Sequence, residues 1–164
     1  MRPAEQLRFL VMAANTEGRR QLGQQLRALG ITAPQAEALR LIQDLGTTNL
    51  REVGQLLVCE SGTNPSRLVT RLVEQGLVDR QASTIDRRAI QLSLTTQGRA
   101  LCAEIASIEH HMYEMLDTMG HDDIQRTINL LRRYVNGTPS GRAIEHRITH
   151  MSSTSQAAPL VRDS

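Results

Sequence analysis

The chain has 164 residues, 40% of them hydrophobic and 22% charged, which suits one soluble domain of ordinary size or one domain with an added arm. Only 2% are aromatic (Phe9, Tyr113 and Tyr134, with no Trp), which argues against an all-β sandwich and against single-strand binding by base stacking. The net charge of +2 does not by itself point to nucleic acid, but all 19 basic residues are Arg, whose planar fork suits phosphates and guanine edges as well as surface ion pairs.

Residues 3–29 read as a helix, with Leu7, Leu10, Val11 and Ala14, then Leu22, Leu26 and Leu29, at helical spacing. Gly18 and Gly23 each weaken an isolated helix by about 1 kcal/mol, so this one needs a large surface to pack on. Gly30 closes it, and Thr32, Pro34 and Gln35 open the next with a cap, a first-turn proline and a side chain that reaches back. That helix runs through Leu39 and Ile42 to Leu45; Gly46 stops it and a short extended stretch follows at 47–48.

Asn49 and Glu52 repeat the start pattern for a short third helix, with Val53, Leu56 and Leu57 inside and its end near Cys59. Residues 61–64 form a turn, and Pro65 sits in the first turn of a fourth helix. Leu68, Val69, Leu72 and Val73 make its inner stripe, while Arg67, Thr70, Arg71 and Glu74 face outward; Gly76 ends it. The period then changes: 77–81 is β-compatible, 82–88 is turn-like, and 89–94 alternates apolar and polar. These segments make a two-stranded hairpin with an Arg-bearing tip, which must lean on the helices to be stable.

Thr95 or Thr96 caps a long helix reaching about Met119. Its Leu101, Ile105, Ile108, Met112, Met115 and Met119 form a heptad-like seam that requires a partner helix. Gly120 breaks it, and Asp122 and Asp123 begin a last helix with Ile124, Ile128, Leu131 and Val135 on one face and Arg132 and Arg133 at its C-terminal end, charges that match the helix dipole. From residue 136 the composition shifts to Gly, Pro, Ser and Thr; 143–151 could form one short helix, and 152–164 reads as a disordered tail.

Two short helices joined by a tight turn, the second with outward Arg and hydroxyl groups, form a helix-turn-helix arrangement. Its second helix fits the major groove of B-DNA, N-terminal residues first. The candidate base-reading residues are Thr63, Asn64, Ser66 and Arg67, with Thr70 and Arg71 one turn deeper. Each has a plainer reading: Thr63 and Asn64 as caps, Arg71 with Glu74 as a surface ion pair. A guanidinium on the hairpin tip, which carries Asp86, Arg87 and Arg88, can enter a narrow minor groove. Asp86 there makes sense as an ion-pair partner that aims a neighbouring Arg, or as a turn residue.

Residues Gly76-Leu77-Val78-Asp79-Arg80, then Asp86-Arg87-Arg88, then Leu94-Thr95-Thr96-Gln97-Gly98 resemble the wing region of MarR-type winged-helix transcription regulators. Pro65 to Leu72 resembles the family's recognition helix, although Pro65 stands where an aliphatic residue is more usual. The resemblance implies a mainly α (α+β) fold: a winged helix-turn-helix domain at 31–98 with a two-stranded β wing, carried by a helical dimerisation domain from 1–30 and 99–135, with 136–164 as an extension. It further implies a homodimer in which Leu7, Leu10, Ile108, Met112, Met115, Met119, Ile128, Leu131 and Val135 meet a second copy. By the same resemblance, Asp86 orients the wing, Arg88 enters the minor groove and Arg87 touches phosphate. The implied function is a repressor on a pseudo-palindromic operator in double-stranded DNA, released by a small aromatic or anionic effector.

Cys59 lies beside the turn before the recognition helix and is a candidate redox sensor, although the redox-sensing branch of the family uses a Cys near the start of the first helix, where this chain has none. Cys102 reads as a small buried apolar residue. His110, His111 and Glu114 could begin a metal site but fit a polar helix face better. We expect neither metal nor cofactor. There is no Gly-rich phosphate loop, G-x-S-x-G elbow or H-E-x-x-H, so we expect no enzyme. The rival is a winged helix that docks a protein, which the polar recognition face argues against. Two cysteines, no apolar signal segment in residues 1–10 and no apolar run longer than 9–14 lead us to expect a cytoplasmic protein without membrane contact.

Overall fold

Capping residues set the helix starts in the computed structural model, which describes residues 1–58, 64–82 and 90–156, with the side chains of 150–156 left aside. After α1 (Pro3–Ala28), the Thr32 N–H donates to Gln35 Oε1 at 2.9 Å and opens α2 (Ala33–Leu45). Strand β1 (Thr48–Asn49) leads into α3 (Leu50–Leu56), where Asn49 Oδ1 accepts from the Glu52 N–H at 3.0 Å and the Glu52 carboxylate accepts from the Asn49 N–H at 3.3 Å. Then come α4 (Pro65–Glu74), β2 (Val78–Ala82), β3 (Ile90–Leu94), α5 (Thr96–Asp117), α6 (His121–Val135) and α7 (Pro139–Gln156).

The fold is mainly helical with one small antiparallel sheet of order β1-β3-β2. The hairpin expected from the alternation forms, with Val78 paired to Leu94 and Ala82 to Ile90. The short extended stretch expected at 47–48 is a strand, and it joins the hairpin, a pairing the two-stranded reading lacks: Thr48 pairs with Leu92 and Asn49 with Gln91, so β1 lies along the other edge of β3. Two residues are too short to show a period, but their pairing fastens the hairpin to the helices.

The core lies where α2, α3, α4, the sheet and the first half of α5 meet. Leu39, Ile42, Val53, Leu72, Val78, Leu92, Cys102 and Ile105 are almost fully buried there. Each large aliphatic among them contributes about 1.5–3 kcal/mol by leaving water. From α1 only Leu26 is buried, and α6 buries no residue.

The C-terminal extension differs from the expected short helix and tail. Helix α7 starts four residues earlier than 143 and continues through Gln156. Gly137, at φ +75°, follows the end of α6, and Thr138 Oγ1 accepts from the Gly141 N–H at 3.0 Å with Pro139 in the first turn. Residues 157–164 lie outside the described residues.

Candidate nucleic-acid interface

Helices α3 and α4 approach closely because Gly54 has no side chain: a Cβ there would stand 3.3 Å from Pro65 Cγ. Asn64 Oδ1 accepts from the Ser66 N–H at 2.9 Å, so the cap expected of Asn64 forms, and its amide N–H groups remain able to donate. Helix α4 turns Leu68, Val69 and Leu72 into the core and leaves Ser66, Arg67, Thr70, Arg71 and Glu74 exposed. The Thr70 hydroxyl donates back to the Ser66 carbonyl at 2.9 Å.

The basic residues divide by partner. Arg20 bonds Glu17 and Arg126 bonds Asp123 on their own helices. Among the described residues no carboxylate pairs with Arg67 or Arg71, so the Arg71–Glu74 surface pair does not form. Two uncommitted guanidiniums on adjacent turns of an exposed helix suit a polyanion. Arg51 on α3 and Arg80 on β2 are exposed and likewise without a carboxylate. Sequence reasoning used both only as parts of motifs; the signal for Arg51 was its place in the first turn of the helix that precedes the recognition helix, which lies against the DNA backbone in this motif.

The wing is anchored at its base by the Leu94-Thr95-x-x-Gly98 motif. The Thr95 hydroxyl donates to the Gly76 carbonyl at 2.7 Å and accepts from the Gly98 N–H at 2.9 Å, joining the end of α4 to the start of α5. A Cβ on Gly98 would stand 2.1 Å from the Leu77 carbonyl oxygen, so only glycine fits. Thus Asn64, Ser66, Arg67, Thr70 and Arg71 share one helix next to the hairpin. Thr63, Asp86, Arg87, Arg88 and Cys59 lie outside the described residues.

Apolar side chains are exposed on the flanking helices. Leu7 and Leu10 on α1, Met115 near the end of α5, Met119 in the turn after it, and Ile128 and Leu131 on α6 are all exposed, with Leu10 at 66% and Met119 at 64%. Ile108, Met112 and Val135 are half-buried. Phe9, Met12, Leu116, Leu130 and Tyr134, which the heptad reading passed over, are exposed as well.

Burial pushes the Cys102 thiol up to about 11, with the nearby Arg40 guanidinium pulling the other way, so it behaves as a core residue. His110 Nε2 and His111 Nδ1 lie 3.3 and 3.5 Å from the exposed Glu114 carboxylate. Among the described residues no three His, Cys, Asp or Glu side chains gather as a metal site, and no helix is long and apolar enough to cross a membrane.

The tight helix pair, the outward polar face of the second helix and the anchored hairpin define a winged helix-turn-helix DNA-binding protein. Comparison with known proteins agrees: the winged helix DNA-binding domain family matches residues 31–98. The chain is 32% identical over 122 residues to the organic hydroperoxide resistance transcriptional regulator of Bacillus subtilis, covering 74% of this chain and 82% of that protein. It is 26% identical over 133 residues to the HTH-type transcriptional regulator SarZ of Staphylococcus aureus, covering 81% and 88%. Among solved structures, a mutant MarR from E. coli complexed with operator DNA aligns with a TM-score of 0.66 at 27% identity, over 79% of this chain and 93% of that one. The chain belongs to the MarR family of winged-helix transcription regulators.

Proposed function

We propose that the protein acts as a homodimer on a pseudo-palindromic operator, that it represses, and that a small-molecule effector releases it. In this reading Thr63, Asn64, Ser66, Arg67, Thr70 and Arg71 read base edges in the major groove. Arg88, aimed by Asp86, enters the adjacent minor groove, and Arg87 and Arg51 hold phosphates. The observation that carries it is the exposed α4 face, with Arg67 and Arg71 paired to no carboxylate among the described residues. The MarR structure with operator DNA supports it by likeness.

The dimer reading is supported by the apolar faces of α1, the end of α5 and α6, since a helix that buries no residue in its own chain needs a second surface. Two-fold symmetry would then set two recognition helices about one DNA turn apart. For the effector, a cleft of about 430 Å³ between α1 and α5 offers Gln21, Gln25 and His111 as polar contacts beside Met112 and Met115. Thioethers adapt to ligands of different shape, which suits a small aromatic or anionic compound.

The test is a titration of the purified chain against the DNA upstream of its own gene, with sedimentation to count chains per duplex. Binding two chains to a duplex in preference to a scrambled duplex is expected; a single chain indifferent to both would overturn the reading.

A further inference from the structure

Glu37 stands on α2 with its side chain only 7% exposed. Its Oε1 accepts from the Val58 N–H at 2.9 Å and from Arg147 Nη1 at 2.8 Å. The two donors come from distant parts of the chain. Val58 follows α3, on the segment that leads to Asn64 and the recognition helix. Arg147 lies on α7, with its side chain 23% exposed. A carboxylate this buried needs a cation and hydrogen-bond donors around it, and Arg147 supplies the charge. Helix α7 is tied to α6 in turn, with Arg132 Nε 3.1 Å from Glu145 Oε1. The contacts therefore run from α6 through α7 and Glu37 to the Val58 backbone after α3, six positions before Asn64.

We propose that Arg147 and Glu37 are positioning residues for DNA recognition. On this view α7 is a strut: through the Glu37 carboxylate it fixes where the chain enters the recognition helix, and it refers that entry to α6. The proposal rests on the reading of α4 as the base-contacting helix. The hydrogen bonds of the pair described above reach Val58 and not an exposed α4 side chain, so on this view it acts on the placement of Ser66, Arg67, Thr70 and Arg71 rather than on their chemistry. Its effect should therefore appear in discrimination between sequences more than in general affinity for DNA.

The experiment uses the full chain and two duplexes: one selected from a random-sequence pool by the wild-type protein, and a scrambled version of it. Affinities are read by fluorescence anisotropy at one salt concentration, with a melting curve for each variant. Arg147→Met keeps the aliphatic stem and Arg147→Ala removes it; both should weaken binding to the selected duplex about tenfold and to the scrambled one less than about twofold. Arg147→Lys should restore most of the discrimination. In the Glu37→Gln background, Arg147→Met should add almost nothing, because the group it acts through has lost its charge. Equal losses on both duplexes, full additivity with Glu37→Gln, or failure of lysine to rescue would each overturn the proposal. A selected duplex whose preference survives Arg147→Met sinks this inference alone; a wild-type protein that selects no duplex sinks the parent reading with it.

Discussion

The winged-helix head and the flanking helices use apolar side chains in opposite ways. In the head, Leu39, Ile42, Val53, Leu72 and Leu92 come from three helices and a sheet and close around one another, leaving almost nothing in water. In α1 and α6 the spacing is just as regular, yet Leu7, Leu10, Ile128 and Leu131 stay exposed. The same periodicity thus has two structural outcomes, and the deciding factor is whether the chain supplies the opposing surface. The head carries its own partners, and the outward face of its α4 is polar. The flanking helices have an uncovered apolar face, the surface expected of a subunit contact.

The strongest challenge to that contrast is to charge the uncovered face. Ile128→Asp with Leu131→Asp should weaken self-association by about 100-fold or more, since a contact would have to bury two carboxylates. Sedimentation velocity reads the result; unchanged association would place the subunit contact elsewhere. The head offers the converse test. Gly98→Ala puts a methyl against the Leu77 carbonyl and should lower stability by about 1–3 kcal/mol. In a chain of this size that is a fall of roughly 2–4 °C in Tm per kcal/mol, seen by circular dichroism, with self-association intact.

On the DNA-facing surface, Arg67→Ala or Arg71→Ala should reduce discrimination between operator and scrambled duplex by about tenfold, more than it reduces non-specific affinity. Arg88→Ala should weaken operator binding by about tenfold and flatten the salt dependence as one cation leaves the phosphate region. A salt slope unchanged from wild type would refute the wing assignment. A thiol inside the head reports on its packing rather than on DNA binding. In a Cys59→Ser chain the remaining thiol, Cys102, ionises only near pH 11. At pH 8 its thiolate fraction is about 10⁻³, against about 10⁻¹ at its ordinary value, so a thiol reagent should react at least about 100-fold more slowly in the folded protein than in denaturant. Rapid native labelling would show that the α2–α5 contact opens.

Much of the head was legible because its elements announce their ends locally. Asn49 with Glu52, Thr32 with Gln35, and Asn64 before Pro65 each place a cap beside the helix it opens, and the structure uses all three. The alternation at Ile90 to Leu94 marked the second strand of the hairpin. Three features were not legible. The extended stretch at 47–48 was read, but its partner was not, because two residues show no period and the strand they pair with, β3, comes 42 or more positions later. The start of α7 follows the same grammar, with Thr138 as cap and Pro139 in the first turn, but Gly137 and the surrounding Ser and Thr read as a linker. The Glu37–Arg147 pair joins residues 110 positions apart, and nothing in either neighbourhood calls for the other. Of the interface, the α4 residues were legible from their alternation with the buried stripe, whereas Arg51 and Arg80 emerged only once the elements carrying them were folded.

The most direct test of a paired DNA-reading head is hydroxyl-radical footprinting on the selected duplex, with the chain-to-duplex ratio measured on the same sample. Two chains per duplex and two protected blocks about one helical turn apart, related by a dyad, are the result this account predicts. One protected block at one chain per duplex, or protection that does not depend on sequence, would contradict it.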